Sequence, residues 1–488
     1  MKRVLVAYSA SATHVPTTFE YLSALGGLPD CEVKFAHCTN GARLDFDLND
    51  FDVLINSYCV RMCYHDWYLS PDYIRAVCGF RGLKIAIAQD EYDRTALLHA
   101  GLRYLGFHVL CSSVPPAFWS MVYPAIDVPG LALKPLLTGY APAEHPDRII
   151  KPLKERSIPV GYRGREIAAQ YGRLGFEKYE IGRYMAEFCD QIGLPHSIRT
   201  DEGSRIYGED WFKFIGDCRS MLGSESGSNA FDFDQGIEQK CASLKAANGR
   251  PAKYSDLADF VAPFEEPFDC GQISPRVFEC AAMKTPMILF RGRYSDAVQA
   301  GVHYIALEKD FSNARDVIAQ VRNLDHLQRI AERAYADLIA SGRYSYRVLT
   351  SSIAEAIDEH LPRIAADPSN RHRKSVRQPW RFPHDRREPE SIALRECPTD
   401  VPQHEEYYSA KHVWLQSLKS QEACMPQAVE PESVVAAATP APGAVPAVPV
   451  HTSILLTAAR KAWHALPEVV RYRVGRAIMR SIDGQLRE

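Results

Sequence analysis

The chain has 488 residues, 46% of them hydrophobic, which is enough for two core-bearing domains plus extensions. Its formal net charge of −3 argues against a general nucleic-acid binder, whose domain would be strongly basic. The thirteen cysteines are scattered without CxxC pairs, and Cys59-x3-Cys63 is not a zinc knuckle, so they read as reduced, mostly buried thiols of a cytoplasmic protein.

The opening "MKRVLVAYSASAT" holds an apolar run, Val4 to Ala7, too short for a signal peptide's core and better read as a first β-strand. No stretch reaches about 18 consecutive apolar residues, so no membrane span is expected. Strands are expected at 3–8, 31–37, 52–57, 83–89, 107–112 and 133–138, with helical stretches between several of them, as at 94–104. This rhythm indicates βαβ units and a parallel, doubly wound sheet over residues 1–150.

A second alternation begins at "IPVGYRG" (158–164). It continues through a helix at 176–193, a strand at 196–201, a helix at 208–218 and a strand at 220–225. A polar insertion spans roughly 235–265. A helix opening at Ser274 follows, then strands 287–290 and 303–307 and helices 313–340 and 347–360. Two such domains, 1–150 and 151–345, place a cleft between the carboxyl ends of their strands, and a helix at 346–365 follows them.

Beyond 365 the character changes. Residues 366–450 comprise a basic, Pro-broken arm, "RHRKSVRQPWRFPHDRREP", and a Pro/Ala-rich linker. Residues 451–488 are basic and amphipathic, suited to an anionic membrane surface, a partner's groove or packing on the chain's own body.

The chemistry concentrates in "GQISPRVFECAAMKTPMILFRG" (271–292). Ser274 is placed to cap the helix, with Pro275 at its first position and Arg276 beside it. The free N–H groups and positive dipole end there suit an anion such as a diphosphate. Glu279, one turn further in, is placed to accept hydrogen bonds from the vicinal hydroxyls of a ribose, or merely to complement the helix dipole.

"RVFECAAMKTPMILF" resembles the signature of GT-B nucleotide-sugar glycosyltransferases of the group 1 class, a Glu-Ala-x-Ala-x-Gly-Thr-Pro helix ending in a strand. Glu279, Ala282, Thr285 and Pro286 match, while Cys280 and Lys284 replace small residues. Many retaining members carry a second glutamate eight residues earlier. Here that position is Gly271, and Glu265, Glu266 and Asp269 are the candidates to replace it. "YGRLGFEK" resembles the family's phosphate clamp, which implies Arg173 and Lys178 on the diphosphate, with Arg163 and Arg165 in "VGYRGR" as rivals. Two cations there would stabilise a departing nucleoside diphosphate.

Ser224, Glu225 and Ser226 leave a strand into a loop of small residues, as sugar or phosphate contacts or as an ordinary turn. In the first domain, Gln89, Asp90 and Glu91 follow the fourth strand. Asp90 or Glu91 is either a base for an acceptor hydroxyl or a cap for helix 94–104. Ser11 and His14, in the loop after the first strand, offer an acceptor edge.

The resemblance implies an α/β GT-B fold of two Rossmann-like domains facing a cleft, with the helix at 346–365 crossing back to the first domain and a flexible C-terminal extension. It also implies a cytoplasmic glycosyltransferase, possible at the inner membrane face. The donor would be a nucleoside-diphosphate sugar and the acceptor a glycan, lipid-linked or protein molecule, with no nucleic acid, no cofactor and no essential metal. The rival readings are an epimerase or hydrolase of nucleotide sugars, and a non-catalytic interaction protein. Neither a GxGxxG after an opening strand nor a GxxxxGK[ST] occurs, which argues against dinucleotide and P-loop chemistry.

Overall fold

Uninterrupted apolar runs such as Val4–Ala7, Val53–Ile55 and Ile85–Ile87 are buried on both faces, as strands of a helix-covered parallel sheet must be. A computed structural model describes residues 1–13, 15–39, 42–63, 69–144, 148–367 and 391–392. Its first part contains β1 (Lys2–Tyr8), β2 (Cys31–His37), β3 (Arg43–Leu44), β4 (Val53–Asn56), β5 (Leu83–Ile87), β6 (Val109–Ser112) and β7 (Ala132–Pro135). All but β3 join one parallel sheet in the order β2-β1-β4-β5-β6-β7. Helices α1 (Pro16–Leu25), α2 (Pro71–Gly79), α3 (Thr95–Leu105) and α4 (Trp119–Val122) accompany it.

The second parallel sheet holds β8 (Val160–Arg163), β9 (His196–Arg199), β10 (Met221–Gly223), β11 (Met287–Phe290) and β12 (Ile305–Leu307), in the order β12-β11-β10-β8-β9. Short β3 pairs instead with β13 (Ser391–Ile392). The helices of this part are α5 (Gly172–Gln191), α6 (Glu209–Asp217), α7 (Gly236–Asn248), α8 (Ala258–Glu265), α9 (Pro275–Ala282), α10 (Ala314–Arg322), α11 (Leu324–Tyr335) and α12 (Tyr346–Ala366).

Helix α12 returns to the first sheet. Its Leu349, Ile353, Ala356 and Ile357 are buried in the same cluster as Val4, Val6, Ile55 and Leu83. Lys2 pairs with Asp358, and Lys134 with Glu359 at 3.0 Å, on the helix's outer side. Two Rossmann-like domains facing a cleft, with a helix crossing back, are the GT-B architecture expected above.

Chain order reverses in each sheet between neighbouring strands, β1 and β4 in the first and β8 and β10 in the second. Loops leaving such strands diverge to opposite faces and open a crevice at their carboxyl ends.

Three features depart from the sequence reading. The polar insertion contains two helices, α7 and α8, packed through Ile237, Leu257 and Val261. The stretch 313–340 is broken at Asn323, whose side chain accepts from His326 N and starts α11. Residues 231–233 also reach the first domain. Asp232 N donates to Tyr92 O at 2.8 Å, Ala96 N donates to Phe233 O at 3.0 Å, and Arg94 forks onto Glu238.

The described cysteines are free thiols, all buried except Cys31 and Cys241. Among the described residues no helix is long and apolar enough to cross a membrane, and no cluster of His, Cys, Asp or Glu is placed to hold a metal. The basic arm and the amphipathic segment 451–488 lie outside the described residues.

Candidate functional site

A cavity of about 390 Å³ opens at the β8/β10 switch point. Gly164 and Ile167 after β8, Ser224 and Ser226 after β10, and the start of α9 all line it. Ser274 takes the extended backbone of a helix cap (φ −84°, ψ 142°), and Pro275 supplies the first helical residue. The Ser274 hydroxyl, however, makes no capping bond, contrary to the sequence expectation. Ser274→Ala should therefore shift the melting temperature little, well short of the ~1 kcal/mol that loss of a bonded cap costs. A thermal melt checks this.

Glu279 lines the cavity one turn inside α9. Its Oε2 accepts from Trp211 Nε1 at 2.7 Å, and its Oε1 accepts from the Thr17 hydroxyl at 3.2 Å. Burial lifts its carboxyl above the usual range, opposed by those two bonds and by Arg276 and Arg148. No salt bridge closes on it among the described residues, so each oxygen keeps accepting capacity beyond its one bond. Arg276 Nη2 donates to Arg163 O at 2.6 Å, and its guanidinium carbon lies 5.0 Å from the Tyr162 ring and 5.4 Å from the Trp211 ring.

The proposed phosphate clamp is split. Lys178 lines the cavity, and no described side chain pairs with its amine. Burial lowers its pKa, with Asp90 opposing the shift. Arg173 does not line the cavity. Five residues at about 100° each set the two side chains about 140° apart on one helix. Arg173 turns instead to Glu177 at 3.3 Å and Glu180 at 3.8 Å.

The rival cations differ from each other. Arg163 lines the cavity, but its guanidinium is committed to Tyr162 O and Ser197 O, both at 2.7 Å, with its face 4.1 Å from the Phe214 ring centre. Arg165 is half-exposed in the cavity wall, 3.4 Å from Glu202. Glu202 also takes Arg205, a cavity residue absent from the sequence reading, at 2.8 Å.

Alternation continues past the end of β10 and separates the three residues that follow it. Ser224 and Ser226 face the cavity, and Ser226 exchanges backbone bonds with Gln272 at 2.8 and 3.0 Å. Glu225 points the other way and is buried. It accepts from Arg293 N at 2.6 Å and Tyr294 N at 3.4 Å, with Lys309 Nζ at 3.5 Å. Its carboxylate fills the space beside Gly271 and Gly292, where any Cβ would overlap it. Glycine at 271 is thus a steric consequence of Glu225. Of the carboxylates named to replace a glutamate at 271, Glu265 accepts from Arg173 N at the start of α5, and Glu266 and Asp269 are exposed; none lines the cavity.

In the first domain, Asp90 has a left-handed backbone (φ 55°), and its carboxylate meets Arg61 at 2.6 Å and the Tyr92 hydroxyl at 2.7 Å. Burial pushes its pKa up, but Arg61 and Tyr92 outweigh that and hold it below the ordinary range. Glu91 is sealed in. It accepts from Ser112, from Ser113 N at 3.0 Å, from Ser113 Oγ at 2.6 Å and from the Tyr123 hydroxyl at 2.6 Å. With 1% exposure it reaches no acceptor molecule, and neither Glu91 nor Asp90 lines the cavity. Neither caps α3, which begins at a left-handed Arg94 with no side-chain cap. Gln89 donates to Thr138 O at 3.3 Å. His14 and the Ser11 side chain lie outside the described residues.

Sequence reasoning missed Trp211 and Thr17, which hold Glu279 from distant elements. The segment "GEDWFKFIG" reads as an amphipathic helix, and nothing in it marks the tryptophan as a neighbour of residue 279.

No protein-family model and no curated protein sequence matches the chain. Solved structures to which it is similar include TarM, at 12% identity and TM-score 0.34, covering 64% of this chain and 55% of TarM. The chain therefore spans little more than half of TarM. Another is Anabaena HepE in complex with UDP and glucose, at 10% identity and TM-score 0.41, covering 74% of this chain and 100% of HepE. A third is T4 phage BGT with its UDP-glucose substrate, at 10% identity and TM-score 0.41, covering 74% and 99%. At these identities and TM-scores the likenesses carry nothing about chemistry, which has to come from the residues of the cavity.

Proposed function

We propose that the chain is a glycosyltransferase whose cavity holds a nucleoside-diphosphate sugar. The observation that carries this reading is the convergence, at one sheet's switch point, of a helix N-terminus, a lysine that no described side chain pairs with and a carboxylate one turn further in. The N–H groups at the start of α9 and the Lys178 amine suit two phosphates. Glu279 suits the two hydroxyls of a ribose. Arg165 can swing from Glu202 toward the anion, whereas Arg163 and Arg276 shape the wall and add positive potential.

In the reaction, an acceptor hydroxyl oxygen bonds to the anomeric carbon while that carbon's bond to the diphosphate oxygen breaks. Lys178 and the helix dipole stabilise the charge gathered by the leaving nucleoside diphosphate, so no metal is required for that step. Asp90 is the first-domain group available to take the hydroxyl proton, although its low pKa makes it a weak base. The acceptor is a glycan, lipid-linked or protein hydroxyl bound from the first domain, in surface-polysaccharide or glycoconjugate assembly.

Calorimetry of the full chain against UDP, GDP, dTDP and CMP tests the donor reading, since a specific binder also raises stability by mass action. Lys178→Met should weaken nucleoside diphosphate binding about 10- to 100-fold, the worth of one or two charge-assisted bonds. Binding of the phosphate-free nucleoside should be unchanged. Equal losses for both ligands would remove Lys178 from the diphosphate. No binding of any nucleotide would return the chain to the non-catalytic reading.

A further inference from the structure

Glu279 is gripped from the opposite side of the cleft. Thr17, in the first turn of α1, donates to Glu279 Oε1 at 3.2 Å, and with Val15 it is the first-domain contribution to the cavity wall. Its position is fixed independently of Glu279. Thr17 O accepts from the Tyr346 hydroxyl of α12 at 3.4 Å, and the next residue, Thr18, accepts from the Tyr58 hydroxyl at 2.8 Å. Tyr346 and Tyr58, both packed against the core cluster that buries α12, therefore hold this turn in place.

We infer that Thr17 is a positioning residue for Glu279, so that the ribose site is built by both domains rather than by the second alone. The inference rests on Glu279 holding the ribose. A carboxylate has about four lone-pair directions, two on each oxygen. Trp211 takes one on Oε2 and Thr17 one on Oε1, which leaves one on each oxygen for a vicinal diol. The terminal torsion of glutamate is broad and roughly two-fold, so two fixed donors are what hold the carboxylate plane. With Trp211 alone the group swings about that single bond. Because Thr17 belongs to the other domain, donor affinity and the packing of the two domains against each other are linked.

The test uses the full chain and whichever nucleoside diphosphate the wild type binds best. Thr17→Val keeps the shape and removes the hydroxyl, whereas Thr17→Ser keeps the hydroxyl. Calorimetry should give about 5- to 10-fold weaker binding for the valine variant, because a carboxylate held by one donor must be fixed in orientation when the ligand binds. The serine variant should bind within about twofold of wild type, and both should melt with the wild type. In a Glu279→Ala background, Thr17→Val should cost nothing further, since contacting residues are non-additive. Unchanged binding in Thr17→Val overturns the inference alone, as does an equal loss in the alanine background. A wild type that binds no nucleoside diphosphate overturns the donor reading and this inference with it.

Discussion

Glu279→Ala should weaken nucleotide binding about 30- to 1000-fold and yet melt no earlier than the wild type. The affinity loss follows from two charge-assisted hydrogen bonds, worth very roughly 2–4 kcal/mol. The stability claim follows from the raised carboxyl, which burial pushes up. A carboxyl whose folded value exceeds its unfolded value binds more protons folded than unfolded between the two. Stability is then highest below the unfolded value and falls as pH rises through the folded one. Ionised Glu279 is therefore a stability cost kept for a ligand, and removing it relieves that cost. Trp211 and Thr17 lose an acceptor but face a cavity that water can enter.

The same shift gives the pH dependence of binding, with the opposite sign. Ribose hydroxyls donate best to the ionised carboxylate, so affinity should rise with pH across the window in which stability falls. Glu279→Gln should lose less affinity than the alanine variant and should flatten the affinity profile. Glu20, Glu91, Glu225, Asp232 and Glu265 are also pushed up by burial, so only the difference from wild type isolates Glu279. Much of the loss should appear in donor KM, because the ribose lies away from the reacting carbon. Normal nucleotide binding with early melting would make Glu279 a structural helix residue.

The contrast between Glu279 and the other candidates shows what the sequence could and could not carry. Period and composition were enough for the strands, because a run such as Val4–Ala7 is buried by any parallel sheet. The start of α9 was legible from Ser274-Pro275, though the missing cap bond was not, since a hydroxyl's direction depends on its neighbours. The two clamp residues part on geometry that spacing alone supplies, because residues five apart on a helix face different ways. Glu91 and Asp90 are adjacent in sequence, but one is sealed by Ser112, Ser113 and Tyr123 and the other is held by Arg61. Only tertiary contacts separate their roles. Gly271 looked like an absence, and its cause is Glu225, 46 positions away, filling the space. Lys284 keeps the left-handed backbone (φ 48°) that a glycine would adopt freely, with its amine 4.6 Å from the Tyr335 ring.

Arg156→Met should give the largest loss of stability of any single change in the second domain, about 3–5 kcal/mol, read as a fall of roughly 5–15 °C in Tm. Arg156 is 1% exposed and bonds four partners, with Nε on Lys151 O at 3.0 Å, Nη1 on Cys218 O at 3.0 Å and on Thr285 Oγ1 at 2.6 Å, and Nη2 on Met283 O at 2.9 Å. Thr285, fully buried, passes the chain on by donating to Ile215 O at 3.1 Å. The Thr-Pro signature is thus explained by structure rather than ligand. The guanidinium ties the end of α9 and the start of β11 to the strand entry at 218, at the end of the sheet away from the cavity. Methionine fills much of the volume but leaves those carbonyls and the hydroxyl without donors in a dry interior, where each costs about 1–3 kcal/mol before relaxation. Arg156→Lys should fall between, because a single ammonium cannot reproduce the planar fork. Nucleotide affinity measured well below the melting transition should drop far less than in Glu279→Ala, since α9 stays anchored by Val277, Phe278 and Ala281 in the core. An Arg156→Met protein melting within about 2 °C of wild type would mean that Thr285 and core packing alone hold the corner.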